Sequence, residues 1–100
     1  MKNPFRLSRE ARTDLLRTWN YLAENASFDV ADKVIADIYA SLDKLGKSPG
    51  IGHPRTDLTD LPVMFYRVHQ YLIIYATDEK PIAIVRILHA SRDIPSILGE

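Results

Sequence analysis

One hundred residues with 46% apolar side chains fit one hydrophobic core and leave no room for a second. The 13 basic side chains cancel the 13 acidic ones, which argues against a polyanion-coating protein, and the apolar content argues against disorder. The absence of cysteine excludes a disulfide framework, a thiolate metal site and a Cys nucleophile, and agrees with a reducing compartment. No apolar run approaches the ~20 residues that span a bilayer, and Met1 to Arg6 carries charge with no apolar stretch behind it. The expectation is a soluble, cytoplasmic, single domain over residues 1–100.

In chain order, Pro4 to Leu7 sets Phe5 and Leu7 on one side and Arg6 on the other, the pattern of a short half-buried strand. Ser8 stands at an N-cap position. From Arg9 to Asn25 the apolar residues Ala11, Leu15, Leu16, Trp19, Leu22 and Ala23 recur at helical spacing, opposite Glu10, Asp14, Arg17 and Asn20. Arg12 falls on the apolar arc, so it either snorkels to solvent or pairs with an acid of the next helix.

A second helix is marked by Ala31, Val34, Ile35, Ile38, Leu42 and Leu45, with Asp29 as the expected N-cap and Gly46 as the expected stop. The short connection around Ala26 to Phe28 makes the two helices antiparallel neighbours. Residues 1–20 hold five basic and two acidic side chains and residues 21–45 hold two and five, so the hairpin has complementary rims, each exposed pair worth only ~0–1 kcal/mol.

Lys47 to Leu61 has two prolines and two glycines and reads as an ordered loop with no regular element in its first half. Val63–Val68, Tyr71–Ala76 and Ile82–Leu88 follow as strands joined by short turns, an antiparallel meander. The unbroken Leu72-Ile73-Ile74 puts the middle strand under cover on both faces. Arg92 to Leu98 forms a last helical turn with Ile94, Ile97 and Leu98 inward. The fold class is α+β: an N-terminal strand, an antiparallel helical hairpin and a small, mostly antiparallel sheet, in the order β-α-α-β-β-β with a short helical tail.

Familiar catalytic signatures are missing: there is no phosphate-binding Gly loop and no zinc motif, and His53, His69 and His89 have no carboxylate at ligand spacing. Neither a metal nor a cofactor is expected. Ser91, His89 and Asp93 cannot line up as a triad from one strand end. Cationic side chains remain. Arg67 shares a strand face with Val63 and Phe65, and Arg86 shares one with Ile82, Ile84 and Leu88. His89 takes the other parity unless the strand bends. One reading is an RNA-cleaving site in which Arg67 and Arg86 hold phosphate and His89 moves a proton. The other is structural, each arginine bonding a loop carbonyl or a carboxylate such as Asp93.

Ser48-Pro49-Gly50-Ile51-Gly52-His53-Pro54-Arg55-Thr56-Asp57-Leu58 resembles the P-x-x-G-x-x-R-x-D-L loop of ParE-type toxins in the RelE/ParE superfamily. Tyr71 to Tyr75, and Ile84 to Ile94 with Arg86, His89, Arg92 and Asp93, resemble that family's YLIIY strand and its I-x-R-V-L-H-x-x-R-D ending. Asp14-Leu15, Trp19, Tyr21-Leu22 and Ala31-Asp32 fit as well.

The resemblance implies the toxin of a type II toxin–antitoxin pair that inhibits DNA gyrase by direct binding and is not itself an enzyme. RelE-like relatives instead cleave messenger RNA on the ribosome. The neutral chain, with no tyrosine after Tyr75, favours the ParE branch, while His89 keeps the ribonuclease alternative open. A member that has lost toxicity and only titrates its antitoxin is a third possibility. The implied partner is a ParD-like antitoxin with a ribbon-helix-helix DNA-binding domain and a tail that folds along the toxin. Trp19, Tyr21 and Tyr39 are the candidate antitoxin contacts. Arg55, Arg86, His89, Arg92 and Asp93 are the candidate toxic surface, with no membrane and no independent nucleic-acid binding expected.

Overall fold

The computed structural model describes residues 4–99; Met1, Lys2, Asn3 and Glu100 lie outside the described residues. Its elements are β1 (Phe5–Leu7), α1 (Arg9–Asn25), α2 (Phe28–Lys47), a 3-10 turn (Pro49–Ile51), β2 (Met64–Val68), β3 (Tyr71–Ala76), β4 (Ile82–His89) and α3 (Ile94–Ile97). The four strands form one sheet in the order β1-β4-β3-β2. β2, β3 and β4 are an antiparallel meander, and β1 lies parallel to β4 with Phe5 opposite Ile82.

Ser8 caps α1 as expected, its Oγ accepting from the Ala11 N–H at 2.9 Å and donating to the Val85 carbonyl at 2.7 Å, so the cap also ties α1 to β4. The cap of α2 is Ser27 and not Asp29: Ser27 Oγ accepts from the Val30 N–H at 3.0 Å. Asp29 falls inside the first turn, where its charge faces the positive end of the helix dipole. Gly46 does not stop α2, which runs on to Lys47. It is a close-approach glycine, because a Cβ there would run into Pro4. Pro49 is what ends the helix, through the residue before it.

The buried stripe of α2 is the expected one, Ala31, Val34, Ile38, Leu42 and Leu45. That of α1 is rotated. Ala11, Asp14, Leu15 and Thr18 are buried while Leu16 is 62% exposed, because a carboxylate with partners turns the helix so that its own side, and not that of Leu16, meets the sheet. Arg12 goes to solvent, with no ion pair among the described residues.

β3 is covered on both sides. Tyr71, Ile73 and Tyr75 pack with the helices, and Leu72 and Ile74 pack with Val63, Phe65, Leu88 and Ile94 on the back face. Leu58, Ile97 and Leu98 extend that second cluster. The segment between α2 and β2 is more regular than its prolines and glycines suggest. Besides the 3-10 turn, His53 exchanges two backbone hydrogen bonds with Phe65, at 2.9 and 2.7 Å, and so covers part of the sheet's outer edge.

Tyr75 fastens this segment. Its Oη donates to the Pro49 carbonyl at 2.7 Å and accepts from the Gly52 N–H at 3.0 Å, and a Cβ on Gly52 would strike that hydroxyl. Tyr75→Phe strands the buried Gly52 N–H, and each stranded group costs ~1–3 kcal/mol. Urea unfolding is therefore expected to show a loss of about 2 kcal/mol, and a loss under about 0.5 kcal/mol would mean that water takes over both bonds.

Candidate functional site

Asp14, Arg17, Thr18 and Tyr21 are three or four positions apart and so share one side of α1. That side faces the second half of β4, and Asp14 sits at the join. Its carboxylate, 5% exposed, accepts from Arg86 Nε at 2.8 Å, from Arg86 Nη2 at 2.9 Å and from the Ile87 N–H at 3.0 Å. A planar guanidinium that forks a carboxylate is a strong, directional pairing. The hydrogen bond to Asp14 pushes the Arg86 pKa up against the opposing effect of burial. The partner of Arg86 is thus Asp14, not Asp93, which instead caps α3 by bonding Ser96 Oγ at 2.8 Å.

The strand bends where Arg86 lies. Ile74 pairs with Arg86 but Tyr75 pairs with Ile84, so Val85 is an extra residue in β4, a bulge. Beyond it the parity shifts by one. Ile82, Ile84 and Ile87 face the helices and Leu88 joins the back cluster, so Leu88 does not share the face of Ile82 and Ile84 that strict alternation assigns it.

His89 consequently turns to the helix side, edge-on to Tyr71 with ring centroids 5.2 Å apart. Its Nδ1 accepts from the Ser91 N–H at 3.0 Å and lies 2.7 Å from Ser91 Oγ. An accepting Nδ1 places the proton of the neutral ring on Nε2. His89 and Ser91 do meet, contrary to the expectation of diverging side chains, but Asp93 is engaged with Ser96 and supplies no third member.

Arg17 and Tyr21 from α1, Tyr71 from β3, and His89, Ser91 and Arg92 from the end of β4 enclose a cleft of about 500 Å3. A second depression, about 300 Å3, lies against the back cluster and takes in His53, Arg55 and Arg67. There Arg55 forks Asp57 at 2.9 and 2.8 Å, and Arg67 bonds the His69 carbonyl at 2.9 Å and Gln70 Oε1 at 2.6 Å. The hydrogen bond with Arg55 holds the Asp57 carboxyl below its ordinary pKa. Arg67 therefore does not converge with Arg86 and His89, and Arg55 stands apart from Arg92. No group of three metal-ligating side chains occurs among the described residues.

The three aromatic candidates also divide. Trp19 is half-buried, its Nε1 donating to Asp32 at 2.8 Å and its ring stacked on Phe28 at 5.7 Å. Tyr39, 43% exposed, lies on α2 in the series Phe28, Asp32, Ile35 and Tyr39 at helical spacing, the side that Trp19 approaches. Tyr21 is elsewhere, in the wall of the cleft.

Residues 5–94 match the family model described as the ParE toxin of the type II toxin–antitoxin system parDE. The chain belongs to the ParE toxin family. It is 28% identical over 104 residues to Toxin ParE1 of Caulobacter vibrioides, covering 96% of this chain and 98% of the relative. Its fold is similar to a solved chain from the chromosomal ParDE toxin–antitoxin system of P. aeruginosa, with a TM-score of 0.72 at 20% identity over 85% of this chain and 92% of the other.

Within this ParE toxin the motif residues have visible tasks. Pro49 and Gly52 receive Tyr75, Arg55 and Asp57 pair, and Leu58 packs on the back cluster. Asp14, Thr18 and Arg17 were not singled out by the sequence as site residues. The available signal was Arg86 itself, a charge inside an apolar strand that needs a buried acid, and Asp14 is placed one turn beyond the fully buried Ala11.

Removing Asp14 leaves the Arg86 guanidinium and the Ile87 N–H without their partner. Breaking a buried pair from one side costs ~3–5 kcal/mol, and the 19% exposure of the Arg86 side chain favours the lower end. Asp14→Ala is expected to lose about 3 kcal/mol in urea unfolding, with Asp14→Leu/Arg86→Met recovering most of it. A single-variant loss under about 1 kcal/mol would show that the pair does not hold α1 on the sheet.

Proposed function

We propose that this chain, a single toxin domain over residues 1–100, arrests growth by binding DNA gyrase in the cytoplasm without catalysing a reaction. A cognate ParD-like antitoxin with a ribbon-helix-helix domain neutralises it. The observation that carries this reading is the ParE family match over residues 5–94, joined by a toxin relative aligned along nearly its whole length. No helix among the described residues is long and apolar enough to cross a membrane.

Binding fits the site better than RNA cleavage does. A ribonuclease reading needs Arg67, Arg86 and His89 around one phosphodiester, but Arg67 lines the back-face depression and Arg86 is committed to Asp14. His89 offers its basic nitrogen to Ser91, which leaves it poorly placed as a general base. Within the toxic surface His89 and Arg92 present themselves to a partner, while Arg86 and Asp93 hold the scaffold and Arg55 lies on the far side.

With purified gyrase and the chain freed from its antitoxin, plasmid supercoiling is expected to stop and linear DNA to accumulate, both reversed by the antitoxin. Unaffected gyrase at a large excess of folded protein would overturn the target and direct attention to translating ribosomes.

The antitoxin reading rests on apolar surface that the hairpin leaves open. Leu16, Phe28 and Tyr39 are 62%, 67% and 43% exposed around the half-buried Trp19, and Tyr21 is 61% exposed in the cleft wall. A folding tail buries such residues as anchors. Tyr21→Ala and Tyr39→Ala are each expected to weaken antitoxin binding by about tenfold, the scale of a peripheral aromatic anchor, with the melting temperature of the free chain unchanged. Unaltered affinity in both variants would remove these residues from the interface.

A further inference from the structure

The cleft between α1 and the end of β4 contains cations that the fold does not use. Arg17 and Arg92 both line it, and among the described residues neither guanidinium makes a hydrogen bond or an ion pair. The acid in the cleft is fully engaged, since Asp14 already accepts from Arg86 and from the Ile87 N–H. Glu10 adds a nearby acid that bears on Arg86 but does not line the cleft. The wall therefore offers mainly donors: two guanidinium groups, the Tyr21 and Tyr71 phenols and the Nε2–H of His89. Burial, then the neighbouring Tyr21, pushes the Tyr71 pKa above its ordinary value, so that phenol keeps its proton through the neutral range. A matching ligand brings acceptors and negative charge.

We propose that this cleft binds a single phosphate group between Arg17 and Arg92, with His89 and the two phenols as further donors. A carboxylate is planar, and one guanidinium fork occupies both its oxygens, as Arg86 does those of Asp14. A phosphate accepts from several directions at once, which suits donors arriving from α1, β3 and the end of β4. The volume of about 500 Å3 is that of a small-molecule site and exceeds what a bare phosphate fills. The remainder of a phosphate ester has the Tyr21 and Tyr71 rings to lie against. A formal net charge of zero supplies no field to gather a polyanion, so recognition is local to one group. The site shares His89 and Arg92 with the proposed toxic surface, but its occupancy is read with no gyrase present and so stands or falls separately from that reading.

The test is a titration of the full chain, freed from antitoxin, followed by amide NMR at constant ionic strength. The probes are inorganic phosphate, a nucleoside 5′-monophosphate, a short single-stranded oligonucleotide and glutarate as the carboxylate control. Saturable shifts confined to the cleft, at Arg17, Tyr21, Tyr71, His89, Ser91 and Arg92, are expected with phosphate probes and not with glutarate. Arg17→Gln and Arg92→Gln, both at exposed positions, are each expected to weaken binding about tenfold, the loss of one charge-assisted hydrogen bond, at an unchanged melting temperature. Tighter binding of the mononucleotide identifies a free phosphate ester as the source, and tighter binding of the oligonucleotide identifies a nucleic-acid backbone. No saturable shift with any phosphate probe, an equal response to glutarate, or full affinity in both variants would each overturn the site.

Discussion

A carboxylate held 5% exposed between a helix and a strand is tolerable only when its oxygens are bonded on all sides, and in this toxin that condition shapes its surroundings. Asp14 needs the Arg86 fork and the Ile87 N–H together. A regular strand would not present a side chain and the next residue's amide to the same point. The extra residue at Val85 makes the presentation possible, and it also reverses the parity of everything after it. The orientation of His89, and hence the cleft, follows from one buried charge.

The second constraint is coverage of the sheet's far side. β3 has no polar position between Tyr71 and Tyr75, so both its faces need a lid. The helices supply one. The other is assembled from the loop, pinned through Tyr75 and the His53–Phe65 pair, and from α3, capped by Asp93. Residues that look functional in a family pattern, such as Pro49, Gly52, Arg55, Asp57, Arg86 and Asp93, are therefore largely occupied in making one piece of structure. That the guanidinium groups of Arg17 and Arg92 in the cleft have no partner among the described residues is correspondingly informative.

The order of elements, the antiparallel hairpin and the double coverage of β3 are legible from periodicity, because each depends on where apolar carbon recurs. The face of α1 is not. Leu16 belongs to the apolar arc by hydropathy and Asp14 does not, yet the buried pair reverses them, and hydropathy cannot see a partner 72 positions away. The bulge escapes for a similar reason: a strand's parity is local, and what shifts it here is a demand from another element. Gly46 and Ser27 show the smaller version. A glycine near a helix end suits both a stop and a close contact, and only the position of Pro4 decides between them. Family resemblance identified the motif residues but not which of them are free to act.

The sheet order has its own consequence for how the molecule comes into being. Of the four described strands β1 is the first made and its neighbour β4 the last, so Ser8 and Val85, which meet across that seam, are 77 positions apart. Closing so long a loop is an entropic cost that precedes any reward from the pairing. On a ribosome β1 has no strand to join until β4 has been made, and the base of α1, anchored through Ser8 and Asp14, waits with it. A chain released before residue 86 lacks the partner of its buried acid, so a broken message yields a fragment that cannot close the cleft. The fold thus couples synthesis of β4 to assembly of the cleft.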